Sequence, residues 1–405
     1  MQIPFSPPFI DEDVLSEVSD SLLSGWITTG PKVKLLEKEL VNLSGCEQAL
    51  CVNSATSGLM IALKWFGIGP GDEVIIPAYT YSATALAVYH LGAKPVLVDV
   101  KSDFNIDPVK VREAITKRTK AIIPVDIAGW PADYDSLYKI INETQIQSLF
   151  NPTTVEQKIL NRILLLSDAA HSLGALYKGK PVGTTADITV FSFHAVKNVT
   201  TAEGGAICLT LPKGFNNEKV YSFMRLLSLN GQTKDAYTKS KAGGWKYDIV
   251  MPGFKMNMPD VCAAIGLAQI RKYKTELLVE RERVASEYQK IFGKYSWAET
   301  PSLIEDNTCT SFHIYPLRIR DISEQQRDLI IESITTHKVS VNVHFIPLPL
   351  LTFFKELGYE ISDFPVAYDN YSREISLPIY PQLNKNQIER ITNAVIESYY
   401  LTLKK

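Results

Sequence analysis

The sequence predicts an α/β protein whose central sheet is mostly parallel, with helices on both faces, followed by a smaller C-terminal α+β domain. Three observations support this fold class. From about residue 52 to residue 209, short apolar runs rich in β-branched residues alternate with longer helix-like segments. These runs are continuously apolar rather than alternating, as is typical of strands buried on both faces. After Gly253 the apolar residues follow the period of an amphipathic helix, which predicts a long helix over residues 258–292.

Six strands are predicted in the first part of the chain. They cover residues 74–77, 95–100, 121–125, 163–168, 188–193 and 206–211. Ligands of mostly parallel sheets bind outside the carboxyl ends of the strands. The polar residues that directly follow these runs are therefore the first candidates for chemistry.

The predicted domain boundary follows residue 270. Residues 1–270 hold the N-terminal segment and the large domain, and residues 271–405 hold the rest of the long helix and the small domain. In the small domain, residues 313–319 and 339–345 are predicted strands, and residues 324–337 and 385–403 are predicted amphipathic helices. The polar, non-periodic residues 142–161 predict a surface insertion. Residues 234–250, rich in Lys, Tyr and Gly, predict a long loop near a site.

Composition excludes several classes of protein. The chain has 405 residues, 42 Lys+Arg against 44 Asp+Glu, and 45% hydrophobic residues, which excludes disordered, collagen-like and small disulfide-stapled proteins. The balanced charge predicts no nucleic-acid or membrane partner. Without a signal peptide or a long uncharged apolar run, we expect a soluble, cytoplasmic protein. Five cysteines without CxxC spacing predict neither a disulfide framework nor a metal site.

The most informative stretch follows the strand at 188–193. Residues 191–205 read FSFHAVKNVTTAEGG, presenting His194 and Lys197 before a Gly-Gly turn. A lysine in a cleft can lose its proton near neutral pH because desolvation disfavours its charge, and the neutral amine can form a Schiff base with an aldehyde. Taken alone, Lys197 is better explained as a solvated surface lysine.

Two other segments change that balance. Asp168 ends an apolar strand, where a carboxylate needs a positive partner such as a pyridinium nitrogen; helix capping is its simpler explanation. Residues 53–63, NSATSGLMIAL, place small hydroxyl residues at a helix start. Backbone N–H groups and the Thr56 hydroxyl could bind phosphate there, or merely cap the helix. Together with Lys197, the three features describe a pyridoxal phosphate site.

The motifs resemble those of the DegT/DnrJ/EryC1/StrS family of sugar aminotransferases over nearly the whole chain. They include SGWITTGPK, NSATSGL, GPGDEVIIPAYTYSATA, SDAAHSLGALYKGKPVG, FSFHAVKNVTTAEGG, MPGFKMNMPDVCAAIGLAQ and VHFIPL. The resemblance implies the aspartate-aminotransferase-like architecture of fold type I pyridoxal-phosphate enzymes. SFHAVKN with AEGG is most similar to the branch that aminates carbon 4 of UDP-linked 4-keto sugars, in the manner of 4-amino-arabinose and pseudaminic acid pathway enzymes.

The resemblance also implies roles for individual residues. Lys197 would form the Schiff base and shuttle the proton, and Asp168 would pair with the pyridine nitrogen. The remaining cofactor contacts would be phosphate binding by Ala55, Thr56 and Ser192, ring stacking by Tyr81, contact with the phenolic oxygen by His171, and phosphate contact from the partner subunit by Lys255, where many relatives have Asn. The substrate positions would be Trp26, Thr28, Glu203, His313 and His344, with strand packing as an alternative for the two histidines.

The implied activity moves an amino group from an amino acid, with L-glutamate expected, to carbon 4 of a UDP-linked 4-keto-6-deoxy sugar. Pyridoxal 5′-phosphate would alternate with pyridoxamine phosphate, and the product would be a 4-amino sugar for a surface polysaccharide, a capsule or lipopolysaccharide. The implied assembly is a homodimer with shared active sites. A dehydratase or lyase using the same cofactor, and a non-catalytic regulator that binds it, are the alternatives. Lys197 favours transamination, since the dehydrating subgroup has His there. The insertion at 142–161 has no counterpart in the family pattern.

Overall fold

The structure, a computed structural model, describes residues 2–234 and 245–403. Most of the predicted loop at 234–250 therefore lies outside the described residues. The helices are α1 Glu12–Leu23, α2 Pro31–Ser44, α3 Ala55–Trp65, α4 Ser82–Tyr89, α5 Pro108–Ala114, α6 Tyr134–Ile141, α7 Thr144–Leu149, α8 Val155–Leu160, α9 Asn217–Ser228, α10 Asp260–Lys272, α11 Leu278–Phe292, α12 Glu324–Thr336, α13 Thr352–Glu356, α14 Pro365–Arg373 and α15 Lys385–Leu403. The strands are β1 Gln48–Val52, β2 Glu73–Pro77, β3 Lys94–Val98, β4 Thr119–Ile122, β5 Leu164–Asp168, β6 Leu176–Tyr177, β7 Lys180–Pro181, β8 Ile188–Ser192, β9 Gly205–Leu209, β10 Ala298–Glu299, β11 Ile304–Glu305, β12 Thr308–Cys309, β13 Tyr315–Ile319 and β14 Glu374–Leu377.

A seven-stranded sheet in the order β1-β9-β8-β5-β4-β2-β3 organises the first part of the chain. Strands β3, β2, β4, β5 and β8 are parallel, whereas β9 runs antiparallel to both β8 and β1. The mostly parallel sheet predicted from continuous apolarity is confirmed. Every residue of β2, β5 and β9 is buried, which explains why these runs lack a polar face.

Helices cover both faces of this sheet. On one face α3 packs against β5, β8 and β9, and on the other α2 packs against β1 and β9. Helix α10 packs against α1 and α2 and completes the second layer. The two apolar layers hold the carboxyl ends of β1, β2, β5 and β8 at one edge of the sheet.

The long helix predicted after Gly253 runs from α10 to α11 through a π-helical turn, Tyr273–Leu277. Beyond it, a second apolar core forms around the antiparallel sheet β10-β13-β14 and is covered by α11, α12 and α15. Its buried residues include Val284, Tyr288, Leu317 and Ile391. The domain boundary after residue 270 stays a prediction.

Two expectations about local structure are wrong. Residues 142–161 lie largely at the surface but are not an irregular insertion, because they form α7 and α8 and bury Ile146, Phe150 and Leu160 against the main core. Residues 339–345 form no continuous strand; Val339 and Asn342 make isolated bridges to Ile3 and Ser376. All five cysteines are free. Among the described residues, no helix combines the length and the hydropathy needed to cross a membrane.

Candidate active site

A cavity of about 470 Å³ opens at the carboxyl edge of the main sheet. Asp168 ends β5 and Ser192 ends β8, and both line it. Thr56, near the start of α3, and Tyr81, which precedes α4, also line the cavity. The strand ends therefore bring together residues that are far apart in sequence, at the edge where parallel sheets bind ligands.

Asp168 is a buried carboxylate with two hydrogen bonds, only 6% exposed. Its Oδ2 accepts from Thr84 Oγ1 at 2.8 Å and its Oδ1 from the Ala170 amide at 3.2 Å. Burial raises the pKa of Asp168, while these two donors and the Lys197 charge oppose the rise. The remaining capacity of the carboxylate is available to a cation in the cavity.

Lys197 lies between β8 and β9, in a turn whose closing hydrogen bond runs from the Lys197 backbone amide to His194 O at 2.9 Å. The side chain is partly buried and lines the cavity. Burial lowers the pKa of Lys197 to about 8, and the negative charge of Asp168 acts in the opposite direction. A substantial neutral fraction near physiological pH makes this amine a nucleophile and a base.

The start of α3 forms an anion cradle with the end of β8. Ser54 caps the helix by accepting from Ser57 N at 3.1 Å, and the amides of the first helical turn have no acceptor within the helix. The antiparallel strand β9 begins against this turn at Gly205. An added Cβ there would lie 2.6 Å from Ala55 N and 2.8 Å from Phe191 O. The backbone at Gly205 therefore packs directly against the start of α3, with no room for a side chain. The free amides of the first α3 turn and the Ser192 hydroxyl can then bind an anion in the cavity.

His171 lies buried behind the cavity wall. Its Nδ1 accepts from Ala128 N at 3.3 Å, and its ring stacks on Phe345 with centroids 5.6 Å apart. Burial, with Lys197 and His344 nearby, holds the pKa of His171 well below its usual range. A neutral ring whose Nδ1 accepts carries its proton on Nε2, so His171 can donate one hydrogen bond.

His313 has the opposite tautomer. It lines the cavity, and its Nδ1 lies 2.8 Å from Asn198 Oδ1, which can only accept. The amide nitrogen of Asn198 donates to Ser311 O at 2.7 Å and to Tyr273 Oη at 3.0 Å. Burial keeps the pKa of His313 far below normal. Its Nε2 therefore carries a lone pair. The His313 ring is thus hydrogen-bonded to Asn198, the residue that follows Lys197 in the chain.

The structure brings most of the predicted site residues together. Tyr81, Glu203 and His344 line the cavity, with Glu203 Oε1 lying 3.6 Å from His194 Nε2 at the mouth. Four predicted residues are not among those lining the cavity, namely His171, which lies behind its wall, and Trp26, Thr28 and Lys255. Trp26 Nε1 donates to Thr29 O at 3.2 Å, Thr28 O accepts from Asp260 N at 3.2 Å, and Lys255 is exposed beside Leu229. The predicted roles of Trp26 and Thr28 at the substrate, and of Lys255 at the partner subunit's cofactor, stay predictions.

Sequence reasoning missed several residues of the site. Thr84 lies inside the quoted YTYSATA motif and Phe345 follows His344 in VHFIPL, so both were within reach of motif reasoning. Phe5 and Ser6 also line the cavity, with Ser6 Oγ donating to Val196 O at 3.0 Å. Nothing in the N-terminal sequence indicated that it would cross the site.

The residues present fit pyridoxal phosphate. A phosphate needs N–H and hydroxyl donors, a pyridinium nitrogen needs a buried carboxylate, and an aldehyde needs an amine. The α3 start with Ser192, Asp168 and Lys197 supply these groups in one cavity. Within residues 2–234 and 245–403, no cluster of three or more His, Cys, Asp or Glu side chains could hold a metal ion. The fold and the site define a fold type I pyridoxal-phosphate enzyme.

The chain belongs to the DegT/DnrJ/EryC1/StrS aminotransferase family, whose profile matches residues 8–151 and 157–396. It is 36% identical over 398 residues to the spore coat polysaccharide biosynthesis protein SpsC of Bacillus subtilis, covering 97% of this chain and 96% of SpsC. It is 34% identical over 407 residues to the UDP-4-amino-4-deoxy-L-arabinose–oxoglutarate aminotransferase of Shewanella sediminis, covering 98% and 97%. Residues 142–161 were expected to have no counterpart in the family. The profile matches most of this segment and leaves out only residues 152–156.

Solved structures agree with this assignment. The Streptococcus pneumoniae protein Spr1654, assigned as a sugar aminotransferase, superposes in its pyridoxal phosphate form with a TM-score of 0.94 at 40% identity, covering 100% of both chains. Its pyridoxamine phosphate form gives 0.95 at 42% identity, covering 99% of this chain and 100% of that one. Helicobacter pylori PseC, an aminotransferase of pseudoaminic acid biosynthesis, gives 0.85 at 29% identity, covering 99% and 100%. The protein is a pyridoxal-phosphate-dependent sugar aminotransferase, and its cofactor passes through the pyridoxamine form.

When bound, the cofactor supplies an electrophilic aldehyde and an electron-accepting ring. Asp168 would hold the proton on the ring nitrogen, and the α3 start with Ser192 would bind the phosphate. The neutral amine of Lys197 would hold the cofactor's aldehyde carbon, with loss of water, until a substrate amine displaces it; the freed Nζ would then take up a proton and return it. His171 would donate from Nε2 toward the phenolic oxygen. The aromatic rings of Tyr81 and Phe345, 5.9 Å apart, narrow the cavity on one side.

Proposed function

We propose that this enzyme transfers an amino group from L-glutamate to carbon 4 of a UDP-linked 4-keto-6-deoxy sugar. The product would be a 4-amino sugar for a surface polysaccharide, a capsule or lipopolysaccharide. A 4-keto-6-deoxy-N-acetylhexosamine is our preferred acceptor over a pentose. The proposal rests above all on the cavity that unites a lysine of lowered pKa, a buried carboxylate and an anion cradle.

Two further features support a sugar acceptor. His313 and His344, together with Glu203, surround the cavity with neutral or anionic polar groups that suit hydroxyl recognition. The names of the Shewanella and Helicobacter relatives include a UDP-4-amino sugar, oxoglutarate and pseudoaminic acid. Oxoglutarate is the keto acid that glutamate leaves behind, which supports glutamate as the donor.

We also propose a homodimer with shared active sites. Lys255, Trp26 and Thr28 do not line the cavity of their own chain, although the family resemblance places them at a cofactor or substrate. A two-fold assembly would let each chain complete its partner's site. The nucleotide-sugar substrate and the five free cysteines support a cytoplasmic location.

The first experiment follows the amino donor alone. Purified protein loaded with pyridoxal phosphate should lose its visible absorbance band when glutamate is added and release one 2-oxoglutarate per site. Lys197→Ala should show neither change, whereas Lys219→Ala, which removes an exposed lysine on α9, should behave as wild type. If no amino acid converts the wild-type spectrum, transamination is refuted.

The second experiment tests acceptor and assembly. The enzyme is first converted to its pyridoxamine phosphate form with glutamate. It is then mixed with UDP-4-keto-6-deoxy-N-acetylhexosamine or a UDP-4-keto pentose, and the aminated sugar is detected by mass spectrometry. Lys197→Ala and Lys255→Ala chains are then mixed. If Lys255 serves the partner's cofactor, hybrid dimers contain one intact site and regain activity that neither variant has alone. Failure of mixing to restore activity would refute the shared site.

A further inference from the structure

A chain of hydrogen bonds leads from the cavity into the C-terminal core. His344 lines the cavity, and its Nδ1 lies 2.8 Å from Ser376 Oγ. Ser376 Oγ in turn contacts Glu374 Oε1, and Glu374 Oε2 accepts from the His344 amide at 3.0 Å. Glu374 and Ser376 are both 0% exposed. A buried carboxyl group is thus connected to an active-site ring through a single hydroxyl.

Three neighbouring elements surround Glu374, two with an arginine charge and one with a neutral phenol. Arg327 on α12 donates to the Glu374 carbonyl oxygen at 3.1 Å, and Arg318 on β13 is the cross-strand partner of Glu374. Tyr79, after β2, donates its phenol to the His344 carbonyl. Burial raises the pKa of Glu374 to about 8, against the bonds from Ser376 and His344 and the two arginine charges. Glu374 is therefore a carboxyl group that can hold a proton at physiological pH.

The His344 ring stays neutral throughout this range. Burial, together with the charge of Lys197, lowers the pKa of His344 to about 3. Phe5 stacks on the ring with centroids 5.4 Å apart, and the nearby His171 and His313 are themselves neutral. What can change at His344 is its tautomer and not its charge.

The hydroxyl of Ser376 couples that tautomer to Glu374, because a hydroxyl donates one hydrogen bond while accepting another. When Glu374 is ionised, Ser376 donates to it and accepts from Nδ1–H of His344, so Nε2 carries the lone pair. When Glu374 is protonated, it donates to Ser376, Ser376 donates to Nδ1, and the histidine proton is on Nε2. Passing from the second state to the first moves two protons along the chain and releases one at Nε2.

We propose that Glu374 and Ser376 are positioning residues that set whether His344 presents a hydrogen-bond acceptor or a donor to the acceptor sugar. This inference rests on the proposed function, because it takes a sugar hydroxyl as the group that meets His344. The side chain of Asn342 marks one of the two states. Its oxygen accepts from Val343 N at 2.9 Å, which turns its amide nitrogen toward His344 Nε2, 3.4 Å away. A lone pair on Nε2 is the state that this contact accommodates.

The direct test measures the tautomer and needs no turnover. Long-range proton–nitrogen correlation spectra of the ¹⁵N-histidine-labelled, cofactor-loaded protein distinguish Nδ1–H from Nε2–H for each of the six histidines, and His344→Gln assigns the relevant signal. The His344 signals should exchange their protonated nitrogen near the pH at which Glu374 titrates, about 8, without an imidazolium signal. Glu374→Gln, whose amide mimics the protonated acid, should fix Nε2–H at all pH values.

Two serine variants separate the hydrogen-bond chain from general structure. Ser376→Ala should abolish the tautomer exchange, and Ser376→Thr, which keeps a hydroxyl, should restore it. Ser372→Ala removes another buried hydroxyl nearby, whose bond is to Asp369 O, and should leave the exchange intact. If the exchange persists in Ser376→Ala or in Glu374→Gln, or is absent in wild type, the proposal is overturned.

Kinetics distinguish this failure from failure of the proposed function. Ser376→Ala should leave the glutamate half-reaction unchanged and raise KM for the keto sugar by about tenfold, the effect of one hydrogen bond. If wild type shows no glutamate half-reaction, the proposed function is refuted, whereas the tautomer measurement remains interpretable because it needs no turnover. If Ser376→Ala leaves both the KM for the keto sugar and its pH profile unchanged, the hydrogen bonds from Glu374 to His344 have no role in sugar binding.

Discussion

Replacing Lys197 should stabilise the cofactor-free protein while abolishing its chemistry. Lys197→Met keeps an unbranched side chain one atom shorter and removes the amine. The cavity lowers the lysine pKa from 10.5 to about 8, which corresponds to about 3 kcal/mol at about 1.4 kcal/mol per tenfold change in proton affinity. That free energy opposes folding whenever both states are protonated, below about pH 8.

The pH dependence identifies the source of the effect. Between pH 8 and 10.5 the unfolded chain binds more protons at this lysine than the folded protein does, so the free energy of unfolding rises with pH by about 3 kcal/mol. Lys197→Met should lack this rise. Its advantage over wild type should therefore be greatest near pH 7 and should vanish above about pH 10.5.

Chemical denaturation of both proteins, freed of cofactor, at several pH values measures the difference. Constant changes in packing cancel because only the slope against pH between about 8 and 10.5 is compared. Lys219→Met, at an exposed position of α9, should follow wild type throughout. Parallel pH dependences for wild type and Lys197→Met would refute the assignment of a strongly perturbed lysine.

Three substitutions test the rest of the site. Gly205→Ala should lower the free energy of unfolding by about 1–3 kcal/mol, as overpacking does, and weaken cofactor retention in a titration, whereas Gly69→Ala, with no atom within 4 Å of its new Cβ, should do neither. Ser192→Ala should weaken cofactor binding in a fluorescence titration by about ten- to a hundredfold, the range for a hydrogen bond to a charged group; an equal affinity would exclude it from phosphate binding. Thr84→Val removes a donor that lowers the Asp168 pKa. The loss of cofactor affinity on acidification should therefore begin at a higher pH than in wild type, and an unchanged pH dependence of the affinity would contradict this.

The sequence located the main sheet well because burial on both faces leaves a continuous apolar signal. The six predicted strands correspond to β2, β3, β4, β5, β8 and β9. Strand β1, Gln48–Val52, was missed, although it is as long as β2 and four of its five residues are buried. Residues 339–345 have the alternation of a strand but cross between Ile3 and Ser376 instead of pairing along a neighbour, so tertiary contacts override β propensity.

Helices α7 and α8 were missed for a different reason. Their segment is polar overall, yet Thr154 caps α8 by accepting from Gln157 N at 3.2 Å, a start signal that spacing alone could have revealed. At the site, motifs placed Lys197, Asp168 and Thr56 in one cavity. They could not reveal Phe5, nor the chain from His344 to Glu374, because both depend on how the C-terminal core docks against the sheet.

The π-helical turn Tyr273–Leu277 fixes the rotational phase between the two halves of the molecule. Such a turn holds one residue more than the α-helical turn it replaces. In a regular α-helix each added residue would rotate everything beyond it by about 100°. The wide turn absorbs its extra residue, so Val284 and Tyr288 of α11 still face their core. The turn begins at Tyr273, whose hydroxyl donates to Leu173 O at 2.6 Å and accepts from Asn198. One widened helical turn thus keeps the C-terminal core, and with it His313 and His344, aligned with the lysine across the cavity.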